Sequence, residues 1–417
     1  MTTTMPGQND IFASLIAAHP TYEAFEAFLR SAAGGRIQVK YLPNDSLVLL
    51  HYEKGVSDLA IDHVRAFRSV VWNKMTHLPV SAGPFRGHAF SKLTDLTGLR
   101  VEEAVDGVMV NQFHDGSAWR LATHTNLGAN RGFYGRRSFA ELFLETQAAV
   151  GIKESNLDIT VAYSWILQHP EERVVSPIPY ALPRLFLIQQ TAFDVAGVQT
   201  FLDLTVATAL KPRIFNVASL EDLVELVASL SRQHKHAFAG LSIRSPTGDR
   251  YKLRAEEYQQ ARFLRGNQAK HAYTWMHHWT LGTLFKYLDY FPEEKAEAEL
   301  LVERYKVETQ NIHKLYLQIY RDRAFPLGQA PHKYRKLLFE IHQARAGAYF
   351  PNLRTFMNGQ DVARKVWLLN YREVSPEVRV ALSLVSAAAS ASEESKGSES
   401  TEATEAVVPA VDSPIPT

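Results

Sequence analysis

The sequence predicts an α+β protein: a domain of antiparallel sheets with flanking helices, then an all-helical domain and an acidic tail. Three observations carry this expectation. Through residue 254, alternating strand-like runs and helical stripes are mixed without a βαβ rhythm, which separates α+β from a doubly wound sheet. Beyond Gly266 the alternation gives way to helix-period stretches rich in Leu, Tyr, His, Lys and Glu. From Val385 the chain is built of Ser, Ala, Glu, Thr and Pro with no aromatic residue, a composition that buries too little apolar surface to offset ordering. The divisions expected are therefore 1–265, 266–384 and a disordered 385–417.

Taken in order, residues 10–33 read as a helix, with Phe12, Leu15, Ile16, Tyr22, Phe25, Phe28 and Leu29 on a broken apolar stripe ended by Gly34-Gly35. Residues 36–42 and 46–52 alternate around Pro43-Asn44-Asp45 and predict a pair of strands. Strands follow over 64–72, 107–113 and 118–125, the last two joined as a hairpin through Asp115-Gly116. Further strands are expected at 159–167, 174–175 and 184–190, and a helix at 220–231. Residues 238–245 and 250–254 make another hairpin. Helices are expected at 268–286, 293–324 and 331–346.

Composition narrows the chemistry. The absence of cysteine rules out disulfides and thiolate zinc sites, and no apolar run is long enough to span a bilayer. Residues 1–10 carry no basic-then-apolar leader, so a cytoplasmic or virion-associated location is expected, with no membrane partner. The formal charge of +1 is uneven: residues 385–417 carry −5 and the remainder +6. No Gly-x-x-x-x-Gly-Lys-Ser/Thr segment is present, so a P-loop is not supported. The histidines at 234, 236, 271, 277 and 278 lack the company of a metal site and read as packing or solvated groups, so no metal ligand set is assigned.

The motif that carries most is Glu103-Ala104-Val105-Asp106-Gly107, set in an apolar-alternating run that continues to Thr123-His124-Thr125. Further motifs lie in sequence order around it: 67–73 (FRSVVWN) and 80–86 (VSAGPFR) upstream, 163–175 (YSWILQHPEERVV) and 238–258 downstream. Residues 264–267 (LRGN) and 287–293 (YLDYFPE) follow. This series resembles the phage-type RNA ligase family of lysine-dependent, covalent nucleotidyltransferases, in the branch found in large DNA viruses. The resemblance implies a ligase-type nucleotidyltransferase domain followed by a helical domain.

The resemblance also implies roles, position by position. The family pattern is Glu-Lys-x-Asp-Gly, its lysine attacking a nucleotide α-phosphate. Ala104 stands at that position and has no lone pair to offer, so no catalytic residue is assigned. Asp106 would contact nucleotide or ribose, and Gly107 would allow close backbone approach. Lys252-Leu253-Arg254 keeps both charges of the family's Lys-x-Lys, which binds phosphate. Arg68 and Arg86 are expected to contact RNA or phosphate. Two further positions depart from the pattern: His124 replaces an arginine, a poor exchange for a permanently charged fork, and Ala239 replaces a metal-binding glutamate. Trp165 and Ile166 occupy the place of an acidic residue. Glu102 and Glu103 could ligate a metal but read as solvated.

Three readings stay open: a catalytically inactive RNA-ligase-like protein that binds nucleotide or RNA ends non-covalently, a structural or assembly protein reusing the fold, for example in a viral particle, and an ATP-dependent RNA ligase with an engineered lysine-to-alanine change at Ala104. ATP and Mg²⁺ are expected only with a retained pocket. RNA is the expected partner in the first reading; a protein partner or self-assembly is expected in the second.

Overall fold

A computed structural model of the chain describes residues 7–371 except 44 and 136. The acidic tail expected at 385–417 lies outside the described residues, as does the end of the helical region from 372. The chain separates into two compact units, Met1–Glu299 and Leu300–Thr417. Among the described residues, no helix is long and apolar enough to cross a membrane.

The strands of the first unit are β1 (Gln8–Asn9), β2 (Gln38–Tyr41), β3 (Leu47–His51), β4 (Val70–Asn73), β5 (Leu78–Ala82), β6 (His88–Ala89), β7 (Arg100–Glu103) and β8 (Val108–His114). They continue with β9 (Trp119–Ala122), β10 (Ala162–Gln168), β11 (Arg184–Phe193), β12 (Gln199–Leu202), β13 (Ile214–Phe215), β14 (Gly240–Arg244) and β15 (Arg250–Arg254). They form three sheets, ordered β1-β12-β11-β10-β8-β9, β13-β7-β14-β15-β6 and β2-β3-β4-β5. Pairing is antiparallel except between β15 and β6. The class is α+β, as the mixed order of elements predicts.

Local chemistry explains where the elements fall. The helix expected over 10–33 is two, α1 (Ile11–Ala18) and α2 (Tyr22–Arg30). Pro20 cannot continue the first helix, and Thr21 caps the second by accepting from the Ala24 N–H at 3.3 Å. The strand expected over 64–72 is instead a 3₁₀ turn, Asp62–Ala66, followed by β4. Val64, Ala66, Phe67 and Val70 are all fully buried, and a run buried on every side has no period to read. Residues 174–175 form no strand. A helix not expected from periodicity, α3 (Phe139–Ala149), starts at a capping box of Ser138 and Glu141.

The hairpin β14–β15 shows how the sequence splits a strand between core and cleft. Leu241, Ile243 and Leu253 face a core shared with Leu223, Val227 and Leu230 of α4 (Leu220–His234) and with Tyr258 and Ala261 of α5 (Glu256–Arg265). The alternate residues Ser242, Arg244, Arg250, Lys252 and Arg254 line a cavity on the other face, as the two-residue period of a strand requires.

Helices α6 (His271–Thr280) and α7 (Leu284–Tyr290), beyond the change in composition at Gly266, belong to the first unit. In the second unit, α9 (His332–Gln343), α10 (Phe350–Asn358) and α11 (Val362–Asn370) follow the long helix Lys295–Tyr316, here α8. Tyr305 donates to the Met357 carbonyl at 2.8 Å, and Lys333 and Tyr334 both bond Glu308. A π turn, Leu317–Arg321, ends the regular α8 geometry before residue 324.

Candidate functional site

A cleft of about 870 Å³ opens in the first unit where the link between β7 and β8 meets the polar face of β14–β15. Of the positions singled out in the sequence, Arg68, Arg86, Ala104, Asp106, Gly107, His124, Lys252 and Arg254 all line it. Ala239 does not. It is 2% exposed in the core beside Leu223, Phe238 and Leu241, and its carbonyl accepts from the Ala255 N–H and the Arg254 guanidinium. Ile166 reaches the cleft floor, whereas Trp165 is buried in the opposite core.

The β7–β8 link is held from both ends. The Ala104 N–H donates to the Gly240 carbonyl at 2.9 Å, and the Glu103 N–H to that of Arg213 at 2.8 Å. Gly107 has φ +141°, and a Cβ there would lie 2.5 Å from the Leu167 carbonyl oxygen, so glycine is required for close approach. Ala104 is 8% exposed. With Val105 and Asp106 it also lines a second cavity of about 270 Å³, with Arg184, Arg213 and His234.

Asp106 serves the fold. One carboxylate oxygen accepts from the backbone N–H groups of Val175 and Ser176, each at 2.9 Å, and the other from the Tyr258 hydroxyl at 2.6 Å. The carboxylate, for which the resemblance implies a nucleotide contact, lines the cleft and ties the link to the 175–176 backbone and to α5. A few residues earlier, Glu172 accepts from the N–H groups of Phe133, Tyr134 and Gly135 at 3.0–3.1 Å. Arg173 donates to the Val175 and Tyr290 carbonyls and pairs with Glu293.

The remaining acids of the cleft are also engaged. Glu102, expected to be solvated, is 3% exposed. It lies 2.5 Å from Arg244 Nε and 3.2 Å from Arg100. Its strand period turns it inward, where these guanidinia and the nearby Arg250 offset its burial. Glu103 pairs with Arg213 at 2.7 Å.

Cations outnumber these groups. Nine line the cleft (Lys54, Arg68, Arg86, Arg244, Arg250, Lys252, Arg254, Arg262 and Arg265) against four carboxylates, so its field is strongly positive. Arg250 is 7% exposed. Its Nε and Nη1 have no hydrogen-bond partner among the described residues, and Nη2 reaches only the Ser242 hydroxyl at 3.5 Å. Burial, reinforced by Arg244 and Arg68, pushes its guanidinium well below its ordinary range. Burial likewise pushes the Lys252 ammonium well down, aided by Arg250, Arg68 and Arg254. Arg254 stacks 5.2 Å over Tyr258, and Arg86 lies 5.2 Å over Tyr52.

Arg244 and Arg250 were missed in the sequence, although a signal was present. Residues 250, 252 and 254 stand at i, i+2 and i+4 of one strand, so three cations share one face. Arg265 gave no such signal. It sits 4.4 Å over Tyr134, donates to the Tyr287 hydroxyl at 2.5 Å and the Arg173 carbonyl at 3.0 Å, and pairs with Glu294. Glu294 also accepts from Trp275 and Tyr287, each at 2.6 Å. Burial raises its carboxyl, but His271, Arg265 and Tyr287 outweigh this and hold it at about 2.

His124 lies 5.4 Å from His51, ring to ring, and its buried Nε2 has no partner among the described residues. Burial, then His51, Arg68, Lys54 and Lys40, lower it from 6.5 to about 3. The unfolded imidazole takes a proton near pH 6.5 and the folded one only near 3. Its contribution to stability is therefore fully present above pH 6.5 and is lost as pH falls through that window. Urea midpoints of the His124→Gln variant should vary less between pH 6.5 and 4 than those of the parent chain. An equal slope in both would show that the buried imidazole is not the cause.

No family model matches the chain, and no curated protein matches it. Among solved structures, an archaeal ATP-dependent RNA ligase is similar at 14% identity, covering 72% of this chain and 82% of its own, with a TM-score of 0.39. A Naegleria gruberi RNA ligase variant with ATP and Mn is similar at 11% identity, covering 62% and 84%, with a TM-score of 0.31. Likeness at this level does not bear on what the cleft binds.

Proposed function

We propose that the first unit is an RNA-ligase-like scaffold that has kept a phosphate-binding cleft and lost the covalent step. Its ligand is a nucleotide or an RNA end, held non-covalently. The observation that carries this is the cation row of the cleft: among the described residues, Arg250 and Lys252 have no ion pair of their own, and they stand beside Arg68 and Arg254. Buried charges are normally paired, and a polyphosphate is the kind of group that would pair these. Lys252 and Arg254 are the two phosphate positions of the ligase motif, while Ala104, where the motif has its nucleophile, offers only a methyl group.

Calorimetric titration of the full chain with ATP tests the reading, followed by a denaturing gel for covalently held nucleotide. Binding that weakens steeply with salt and leaves no covalent band is the expected result. Absence of binding at millimolar nucleotide would mean that the cleft is not a nucleotide site.

The Ala104→Lys variant addresses the missing step directly. Restoring the amine alone should give no covalent band, because His124 replaces the charged clamp and Ala239 faces the core instead of the cleft. A band with that single change would make the chain a ligase disabled at one position.

A further inference from the structure

We infer that the cleft takes its polyanion bare, as an uncomplexed oligophosphate, and not as a complex with a divalent cation. The inference rests on the phosphate-binding reading above and specifies its ligand. The sequence resemblance implies Mg²⁺, and the residues present do not fit that ion.

A hard dication needs oxygen ligands with open lone pairs, commonly one or two carboxylates beside the phosphates. The acids of this cleft are committed elsewhere. Asp106 accepts three hydrogen bonds, two from backbone N–H groups and one from Tyr258. Glu172 is wrapped by three backbone N–H groups. Glu102 lies between two arginines. Glu103 is tied to Arg213, which leaves one oxygen, and that oxygen stands beside a guanidinium. The motif position that would supply a metal-binding glutamate is Ala239, turned into the core. Among the described residues, no group of three or more His, Asp or Glu could hold a metal ion.

The charge balance points the same way. The work a dication does for a triphosphate, neutralising its oxygens and fixing their geometry, is available here from the Arg68, Arg250, Lys252 and Arg254 side chains. A cation arriving with the ligand would add to a field that is already positive and would block oxygens the guanidinia can bond. Magnesium is thus a competitor for the phosphate, and not a bridge to the protein.

The test is calorimetric titration of the full chain with inorganic tripolyphosphate, in EDTA and in excess Mg²⁺, at matched ionic strength so that screening is equal. ATP is run in the same two arms. Excess Mg²⁺ should weaken apparent binding of both ligands by at least about tenfold. Binding that is unchanged or tightened by Mg²⁺ overturns the inference while leaving the phosphate-binding reading intact. Failure of both ligands in both arms overturns that reading as well. Binding of ATP but not tripolyphosphate would show that base and ribose, and not the bare phosphate chain, are recognised. The Glu103→Gln variant closes the remaining route. It should keep the same Mg²⁺ response, and a changed response would identify Glu103 as a metal ligand.

Discussion

Replacing Arg250 with methionine should raise the melting temperature of the ligand-free protein and sharply weaken its triphosphate binding. Arg250 lies at the buried end of β15, with Arg244, Arg68 and Arg254 as electrostatic neighbours. The carboxylate facing this group, Glu102, is already shared between Arg244 and Arg100. Two of the Arg250 guanidinium nitrogens lack a hydrogen-bond partner among the described residues, so the folded chain bears a desolvation cost without a matching attraction. A methionine of similar length fills the space without the charge, and relieving unsatisfied buried donors should stabilise by about 1–3 kcal/mol. At about 2.1 cal/mol/K of unfolding entropy per residue, a unit of this size shifts by roughly 1–2 °C per kcal/mol. Charge-assisted hydrogen bonds to a ligand contribute about 1.5–3 kcal/mol, so affinity should fall by about one to two orders of magnitude. Scanning calorimetry and titration of the same preparation read both effects. A lower melting temperature would mean that the guanidinium is compensated in the free protein, and the argument for a ligand-shaped charge deficit would fail.

The second large effect is expected at Asp106. Asp106→Ala removes the acceptor for the Val175 and Ser176 N–H groups and for the Tyr258 hydroxyl at one stroke. Val175 is fully buried and Ser176 nearly so, so little of their surroundings can replace the lost acceptor. Leaving such donors without their acceptor costs about 1–3 kcal/mol, and a urea midpoint should fall accordingly. Asp106→Asn keeps one carbonyl acceptor and should lose less. Unchanged stability with lost nucleotide affinity would return this carboxylate to the ligand-contacting role that the motif resemblance implies.

These two residues also mark how far the sequence could be read. The α+β class, the hairpin at Asp115-Gly116 and the β14–β15 hairpin follow from two-residue alternation and turn chemistry, which are local. The gathering of Arg68, Ala104, His124 and Lys252 around one space was legible through motif order. The partner of each group was not. Asp106 is tied to residues about seventy positions away, and Glu102 is buried because its inward register places it against Arg244. Ala239 illustrates the limit in the other direction, since a motif position one residue out of phase with the pocket-facing side chains lies in the core. The α3 helix was legible in principle, as Ser138 and Glu141 are three apart, but its apolar period is weak.

The short stretch from Glu172 to Ser176 has a consequence for the order of assembly. Within it, Glu172 organises the 133–135 loop, Arg173 engages Tyr290 and Glu293, the Arg173 carbonyl receives Arg265, and the 175–176 backbone holds Asp106. The sequence separations run from 37 to 120 residues. Contacts so distant along the chain are slow to find, because loop-closure entropy is lost before they repay it. The sheet that carries the link and the cation row also closes late, since β7 pairs with β14 from Arg100 to Arg244. On a ribosome, the Arg173–Glu293 and Arg265–Glu294 pairs can close only after residue 294 has emerged.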